Sequence, residues 1–199
     1  MIAYDLIGQT PLVLLESFSD ENVKIYAKLE QFNPGGSIKD RLGKYLIEKA
    51  IDEGRLKEGD TIVEATAGNT GIGLAIASNR HKVKCIIFAP EGFAEEKISI
   101  MKALGADVRR TPKVEGMTGA QQEALAYATR YGYLYMNQFE TKDNPGAYTQ
   151  TLAKQLTDEL SHIDYFVAGV GSGGTFTGVA QHLKTCLLYT SPSPRDLST

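Results

Sequence analysis

Apolar strand-like runs alternate with helix-like runs along almost the whole chain, and several of the junctions are rich in glycine. "VKIYAKLE" (23–30) alternates apolar and polar residues before a helical pattern over 41–50, where Leu42, Tyr45, Leu46, Ile47 and Ala50 share one face. "TIVEA" passes through "TAGNTG" into "IGLAIASNR". "VKCIIFA" (83–89) has the character of a buried strand, and the helix after it carries Ile98, Met101 and Leu104 at helical spacing before a glycine stop. "DVRRT" is a short strand, 118–132 a helix ending in glycine, "YLYMNQF" strand-like, "AYTQTLAKQLTDEL" helical, and "IDYFVAGVG" a core strand running into "SGGTFTGVAQHLK". Repeated strand–loop–helix units predict an α/β fold, a largely parallel sheet with helices on both faces.

The 199 residues, 42% of them hydrophobic, suffice for one or two such domains. A net charge of −3 gives no electrostatic case for nucleic acid or an anionic membrane as partner. No apolar run approaches a membrane span, and the first residues lack a basic segment and a small-residue cleavage site. Cys85 and Cys186 are too few for a disulfide framework, so a reducing cytoplasm is expected. His81, His162 and His182 are scattered without ligand spacing, and no metal site is expected. From Thr185 onward, "TCLLYTSPSPRDLST" breaks the helical pattern. A disordered tail is one reading and a non-native terminus the favoured one, so 185–199 are set apart from the expected fold.

Three loops carry chemical potential. In "VAGVGSGGTFTG" a strand delivers a glycine-rich turn to a helix start, where amides of Gly171, Ser172, Gly173, Gly174 and Thr175 can wrap a phosphate. Gly169, Gly171 and Gly174 also satisfy the dinucleotide fingerprint G-x-G-x-x-G, and the bare residues equally allow a tight turn with no ligand. In "EATAGNTGIG", Thr66, Gly68, Asn69, Thr70 and Gly71 place amides, hydroxyls and a carboxamide at a second helix start, fit to hold a carboxylate or to serve as an ordinary capped turn. In "NPGGSIKDR", Ser37 is a natural N-cap and Asp40 completes a capping-box variant, which puts Lys39 in the first turn. A cation is disfavoured there by the helix dipole, and a dry lysine so placed offers a free amine able to form Schiff bases. Taken singly Lys39 reads as a solvated lysine. A phosphate cup, a carboxylate loop and a masked amine together are the parts that bind pyridoxal 5'-phosphate and an amino acid.

At these residues the chain resembles the cysteine synthase/cystathionine β-synthase family of pyridoxal-phosphate enzymes. The likeness runs through "IGQTPL", "KLEQFNPGGSIKDR", "EATAGNTGIGLA", "GFAEEKISIMKALGA", "EGMTGA", "NQFE" and "VAGVGSGGTFTG" in family order. The resemblance implies the fold of the tryptophan synthase β type. It implies that Lys39 holds the cofactor as a Schiff base and later removes the substrate α-proton. Asn69 would bond the cofactor's ring oxygen, and Gly171, Ser172, Gly173, Gly174 and Thr175 its phosphate. Thr66, Gly68, Thr70 and Gln138 would bind the substrate carboxylate. The implied reaction is β-replacement on O-acetylserine, with sulfide giving cysteine or homocysteine giving cystathionine, in a homodimeric enzyme.

Some positions depart from the family. Ala67 stands where cysteine synthases usually carry serine, and Tyr148 and Lys154 where histidine and proline are common. "ATAGNTG" and "GSGGTFTG" look closer to the bacterial O-acetylserine-dependent cystathionine β-synthase branch. Family members also continue for roughly half a domain more, including the residue that meets the pyridine nitrogen. By that comparison 1–36 and 146–184 form part of an incomplete larger domain and 37–145 a smaller mobile one. An open sheet edge and an uncovered apolar face are then expected, leaving this 199-residue product poorly folded and inactive while its parent is active. Two readings from other classes stay open: a nicotinamide-dinucleotide-binding domain, and a non-catalytic fragment acting as an interaction module.

Overall fold

The computed structural model describes residues 2–186, which fall into two compact units divided between Thr141 and Lys142. In the first, β1 (Leu12–Leu14) and β2 (Tyr26–Lys28) form an antiparallel pair with Leu12 opposite Lys28. The main sheet contains β3 (Thr61–Ala65), β4 (Lys84–Pro90), β5 (Asp107–Thr111) and β6 (Leu134–Tyr135) in the order β5-β4-β3-β6, with every pairing parallel. The connections contain α2 (Asn69–Arg80), α3 (Glu95–Ala103) and α4 (Gly116–Tyr131), and α1 (Lys39–Asp52) precedes the sheet.

Alternation along the strands decides which helix covers which face. Val63, Ala65, Ile86 and Phe88 meet Ala120, Ala124 and Ala128, a stripe of small side chains at four-residue spacing that lets α4 lie close to the sheet. Ile62, Cys85 and Ile87 point the other way, and Cys85 lies close to Ser78 of α2 there. Burial pushes the Cys85 thiol up to about 12, so it behaves as a small apolar core residue. The expected parallel sheet with helices on both faces is what forms.

Glycine sets the approach of α1 to α2. A Cβ on Gly43 would overlap the backbone of Gly73, and one on Gly73 would overlap the Lys39 carbonyl. The N-terminal segment is tied to α1 by Arg41, a buried guanidinium that donates to both Glu30 oxygens at 2.7 and 2.8 Å, to Gly8 O at 3.0 Å and to Thr10 Oγ1 at 3.1 Å. Asn33 joins in, its Oδ1 accepting from Gly8 N at 2.7 Å.

The second unit differs from expectation in three ways. "AYTQTLAKQLTDEL" is helical but broken into α5 (Asp143–Tyr148), a π-helical turn over Thr149–Ala153, and α6 (Lys154–Glu159). Thr149 and Thr151 hydroxyls donate back to Pro145 O and Ala147 O, competing with the regular ladder, and the Gly178 backbone of α7 (Gly174–Cys186) lies against Pro145 O. "IDYFVAGVG" forms no strand among the described residues. A strand needs a neighbour to take its backbone bonds, and Tyr165 and Val167 are instead each 90% exposed. Finally, Thr185 and Cys186 continue α7 rather than leaving the fold, whereas 187–199, the bulk of the expected tail, lie outside the described residues. Among the described residues no helix is long and apolar enough to cross a membrane, and no three His, Cys, Asp or Glu gather as a metal ligand set.

Candidate functional site

The turn into α1 is tighter than a capping box. Gly36 takes a left-handed φ of +77°, and its amide donates to Asn33 O at 2.8 Å. Ser37 Oγ accepts from the amide of Lys39 at 3.1 Å, not from that of Asp40, which donates to Ser37 O at 3.3 Å. The Asp40 carboxylate reaches past Ser37 and accepts from Gly35 N at 2.5 Å. Any side chain on Gly35 would overlap that carboxylate, so this glycine is required by packing. Asp40 is fully buried and its Oδ1 accepts no hydrogen bond; burial pushes its carboxyl up to about 6. Lys39 opens the helix, half-buried, and desolvation holds its amine below the usual lysine range. A depressed amine spends more time uncharged, the form that attacks an aldehyde.

The second loop lies against the first through Gly73, which touches the Lys39 carbonyl one turn after Asn69. Thr66, at the end of β3, is buried, and its Oγ1 accepts from Gly68 N at 3.2 Å. Gly68 precedes α2 in an extended conformation with no side-chain cap, so the first amides of α2 depend on partners outside the helix. Thr70 donates its hydroxyl to Gln138 Oε1 at 2.6 Å. Gln138 follows Asn137, which adopts a left-handed φ of +47°, and its amide donates to Glu64 Oε2 at 3.0 Å. Thr66, Gly68, Asn69, Thr70 and Gln138 therefore converge at the C-terminal ends of β3 and β6, the usual ligand side of a parallel sheet.

Two residues without an assigned role shape this loop. Glu64 is wholly buried, accepts from Ala65 N and Gln138 N, and is pushed up to about 7 by burial. Its signal in the sequence is an acid inside an otherwise apolar strand. Lys97, in the first turn of α3, donates from Nζ to Asn69 Oδ1 at 2.5 Å. Its sequence context gives no such signal, because a lysine on an amphipathic helix is ordinary.

The glycine-rich turn belongs to the second unit. Gly171 and Ser172 lead into Gly173, at φ +81°, and α7 starts at Gly174. Gly174 packs where a Cβ would overlap the Asn144 carboxamide, and Asn144 Nδ2 donates to Ser172 Oγ at 3.0 Å. Thr175 occupies the first turn of this 13-residue helix.

The family described as "Pyridoxal-phosphate dependent enzyme" matches residues 3–195. The O-acetylserine dependent cystathionine beta-synthase of Bacillus subtilis (strain 168) is 50% identical over 183 residues, covering 90% of this chain and 60% of that protein. The cysteine synthase of Helicobacter pylori (strain ATCC 700392 / 26695) is 48% identical over 189 residues, with the same coverage. Among solved structures, the O-acetylserine dependent cystathionine beta-synthase from Helicobacter pylori superimposes with a TM-score of 0.87 at 46% identity, covering 93% of this chain and 63% of that one. An O-ureido-L-serine synthase superimposes with a TM-score of 0.86 at 37% identity, covering 92% and 58%. The chain thus spans about 60% of the length of the curated relatives it matches.

Proposed function

This chain belongs to the pyridoxal-phosphate dependent enzyme family, and from that membership we propose that the protein carrying it catalyses β-replacement on O-acetylserine with a sulfur nucleophile. The products are cysteine from sulfide or cystathionine from homocysteine. The observation that carries this reading is the loop after β3, where Thr66, Gly68, Asn69, Thr70 and Gln138 gather beside the half-buried amine-bearing turn of Lys39.

The donor set suits the cofactor. Pyridoxal phosphate supplies, when bound, an aldehyde that condenses with amines and a ring that accepts electrons from the substrate's α-carbon. Lys39, its amine kept partly uncharged by burial, would hold the aldehyde and would take the α-proton at Nζ. Asn69 would donate to the ring oxygen. Thr66, Gly68, Thr70 and Gln138 would form the substrate-carboxylate site, the Thr66 hydroxyl donating directly while the Thr70 hydroxyl, which donates to Gln138 Oε1, orients the Gln138 carboxamide. Gly171, Ser172, Gly173, Gly174 and Thr175 take the phosphate through turn amides and hydroxyls. Position 67 is alanine, which leaves one hydroxyl fewer near the substrate than a serine would give and leaves the choice of nucleophile to the competition experiment below; the motifs "ATAGNTG" and "GSGGTFTG" resemble the cystathionine branch.

Residues 1–36 with 146–184 as part of a larger domain, 37–145 as a smaller mobile one, homodimerisation and a cytoplasmic setting complete the proposal; two free thiols, Cys85 and Cys186, support the last. Acetate release from O-acetylserine, followed with sulfide and with homocysteine as competing nucleophiles, tests the reaction and the branch together. Acetate release that depends on Lys39 supports the reading; none from protein loaded with pyridoxal phosphate contradicts it.

A further inference from the structure

Asn69 is the residue proposed above to donate to the cofactor's ring oxygen, and a carboxamide can donate only from one end. The two ends differ by a rotation of the amide, so something must choose which one faces the ligand. The Lys97 ammonium lies 2.5 Å from the oxygen end. An ammonium has three donors and no acceptor, so it cannot bond an NH2 group. It therefore fixes the orientation by its chemistry. No described residue accepts from Asn69 Nδ2, so that end is not committed elsewhere in unit one.

We propose that Lys97 is a positioning residue for Asn69: it grips the carboxamide oxygen and so presents the Nδ2 hydrogens to the cofactor. The inference rests on the cofactor reading above. A charged donor at the oxygen also draws electron density from nitrogen, which strengthens Asn69 as a donor. Lys97 comes from α3, a different element from Asn69, so displacement of α3 would release the amide.

The test compares Lys97→Arg, Lys97→Met and Lys97→Glu in the protein carrying this sequence, each titrated with pyridoxal phosphate and then reduced with borohydride. Arginine keeps a donor-only cation and should bind as wild type does. Methionine removes the grip and should weaken cofactor affinity roughly five- to tenfold. Glutamate accepts rather than donates, invites the amide to turn over, and should weaken affinity further and move the absorbance maximum of the bound cofactor. In all three, reduction at saturation should still fix the pyridoxyl mass on Lys39. Equal affinity and absorbance across all four proteins, with Lys39 labelled in each, overturns the role of Lys97 and spares the cofactor reading. Equal weakening by Arg and Met also overturns it, because only bulk packing would then be at work. Absence of label on Lys39 in the wild type defeats the cofactor reading and this inference with it.

Discussion

Thr70 and Gln138, 68 residues apart in sequence, are joined by a 2.6 Å hydrogen bond in which the threonine hydroxyl donates to the carboxamide oxygen. Both side chains are buried, at 4% and 5% exposure, so neither can replace the other with water at little cost. This bond links the start of α2 to the segment after β6 and sets the spacing of the proposed carboxylate site.

Thr70→Val keeps the shape and removes the donor. It should cost about 1–3 kcal/mol of stability by removing a buried donation to Gln138 Oε1. It should also raise KM for the amino-acid substrate more than it lowers kcat, because the loss falls on binding. Urea denaturation and steady-state kinetics check the two parts.

Glu64 makes stability depend on pH. Its carboxyl is raised from 4.5 to about 7 in the fold, so the folded chain holds a proton that the unfolded chain releases. The stabilisation is complete below pH 4.5, falls as pH rises, and is gone once pH passes the folded value near 7. Asp40, raised from 3.8 to about 6, acts in the same direction over its own window. Glu64→Gln should remove most of the slope between about pH 5 and pH 7 whatever it does to absolute stability. Denaturation midpoints across that range, compared with wild type, read the slope directly.

Gly43→Ala tests the α1–α2 approach. A methyl there would overlap the Gly73 backbone, so the helices must separate or the chain must lose about 1–3 kcal/mol. Gly54→Ala serves as a control for general glycine effects, since its surroundings are open although its φ is +72°. A thermal melt of both should show the larger drop for Gly43.

Arg41→Leu removes the guanidinium that binds Glu30 through two oxygens at 2.7 and 2.8 Å. With Glu30 largely buried and its carboxyl held low by Arg41 against desolvation, the loss should reach about 3–5 kcal/mol. Arg41→Leu with Glu30→Met should recover a large part of it, which a double-mutant cycle measures.

Much of this architecture was legible in the sequence, and the exceptions have physical causes. "TIVEA" and "VKCIIFA" read as buried parallel strands because both faces are covered, one by the Ala120, Ala124 and Ala128 stripe. The same reasoning placed a strand at "IDYFVAGVG", where no described strand accompanies it; an apolar run states a need for burial and cannot state whether a partner is present. The π-helical turn over Thr149–Ala153 was hidden because hydroxyl back-bonding leaves the apolar spacing unchanged. Ser37 and Asp40 were recognised as turn residues, but the partner of Asp40 proved to be Gly35, because two glycines let the backbone fold back on the carboxylate. Thr66 and Thr70 were legible as one loop at a helix start, and the arrival of Gln138 beside them was anticipated only through family resemblance. The Lys97–Asn69 bond, spanning 28 residues, was not anticipated at all, because pairing between distant polar side chains leaves no period to read.

The proposed attachment of pyridoxal phosphate to the amine of Lys39 underlies every role assigned to the site. Borohydride reduction of the cofactor-loaded protein, followed by peptide mass mapping, tests it most directly. The account predicts one pyridoxyl addition, on the peptide containing Lys39, lost in Lys39→Ala. Label spread over exposed lysines such as Lys82, or fixed at another single lysine, would contradict it.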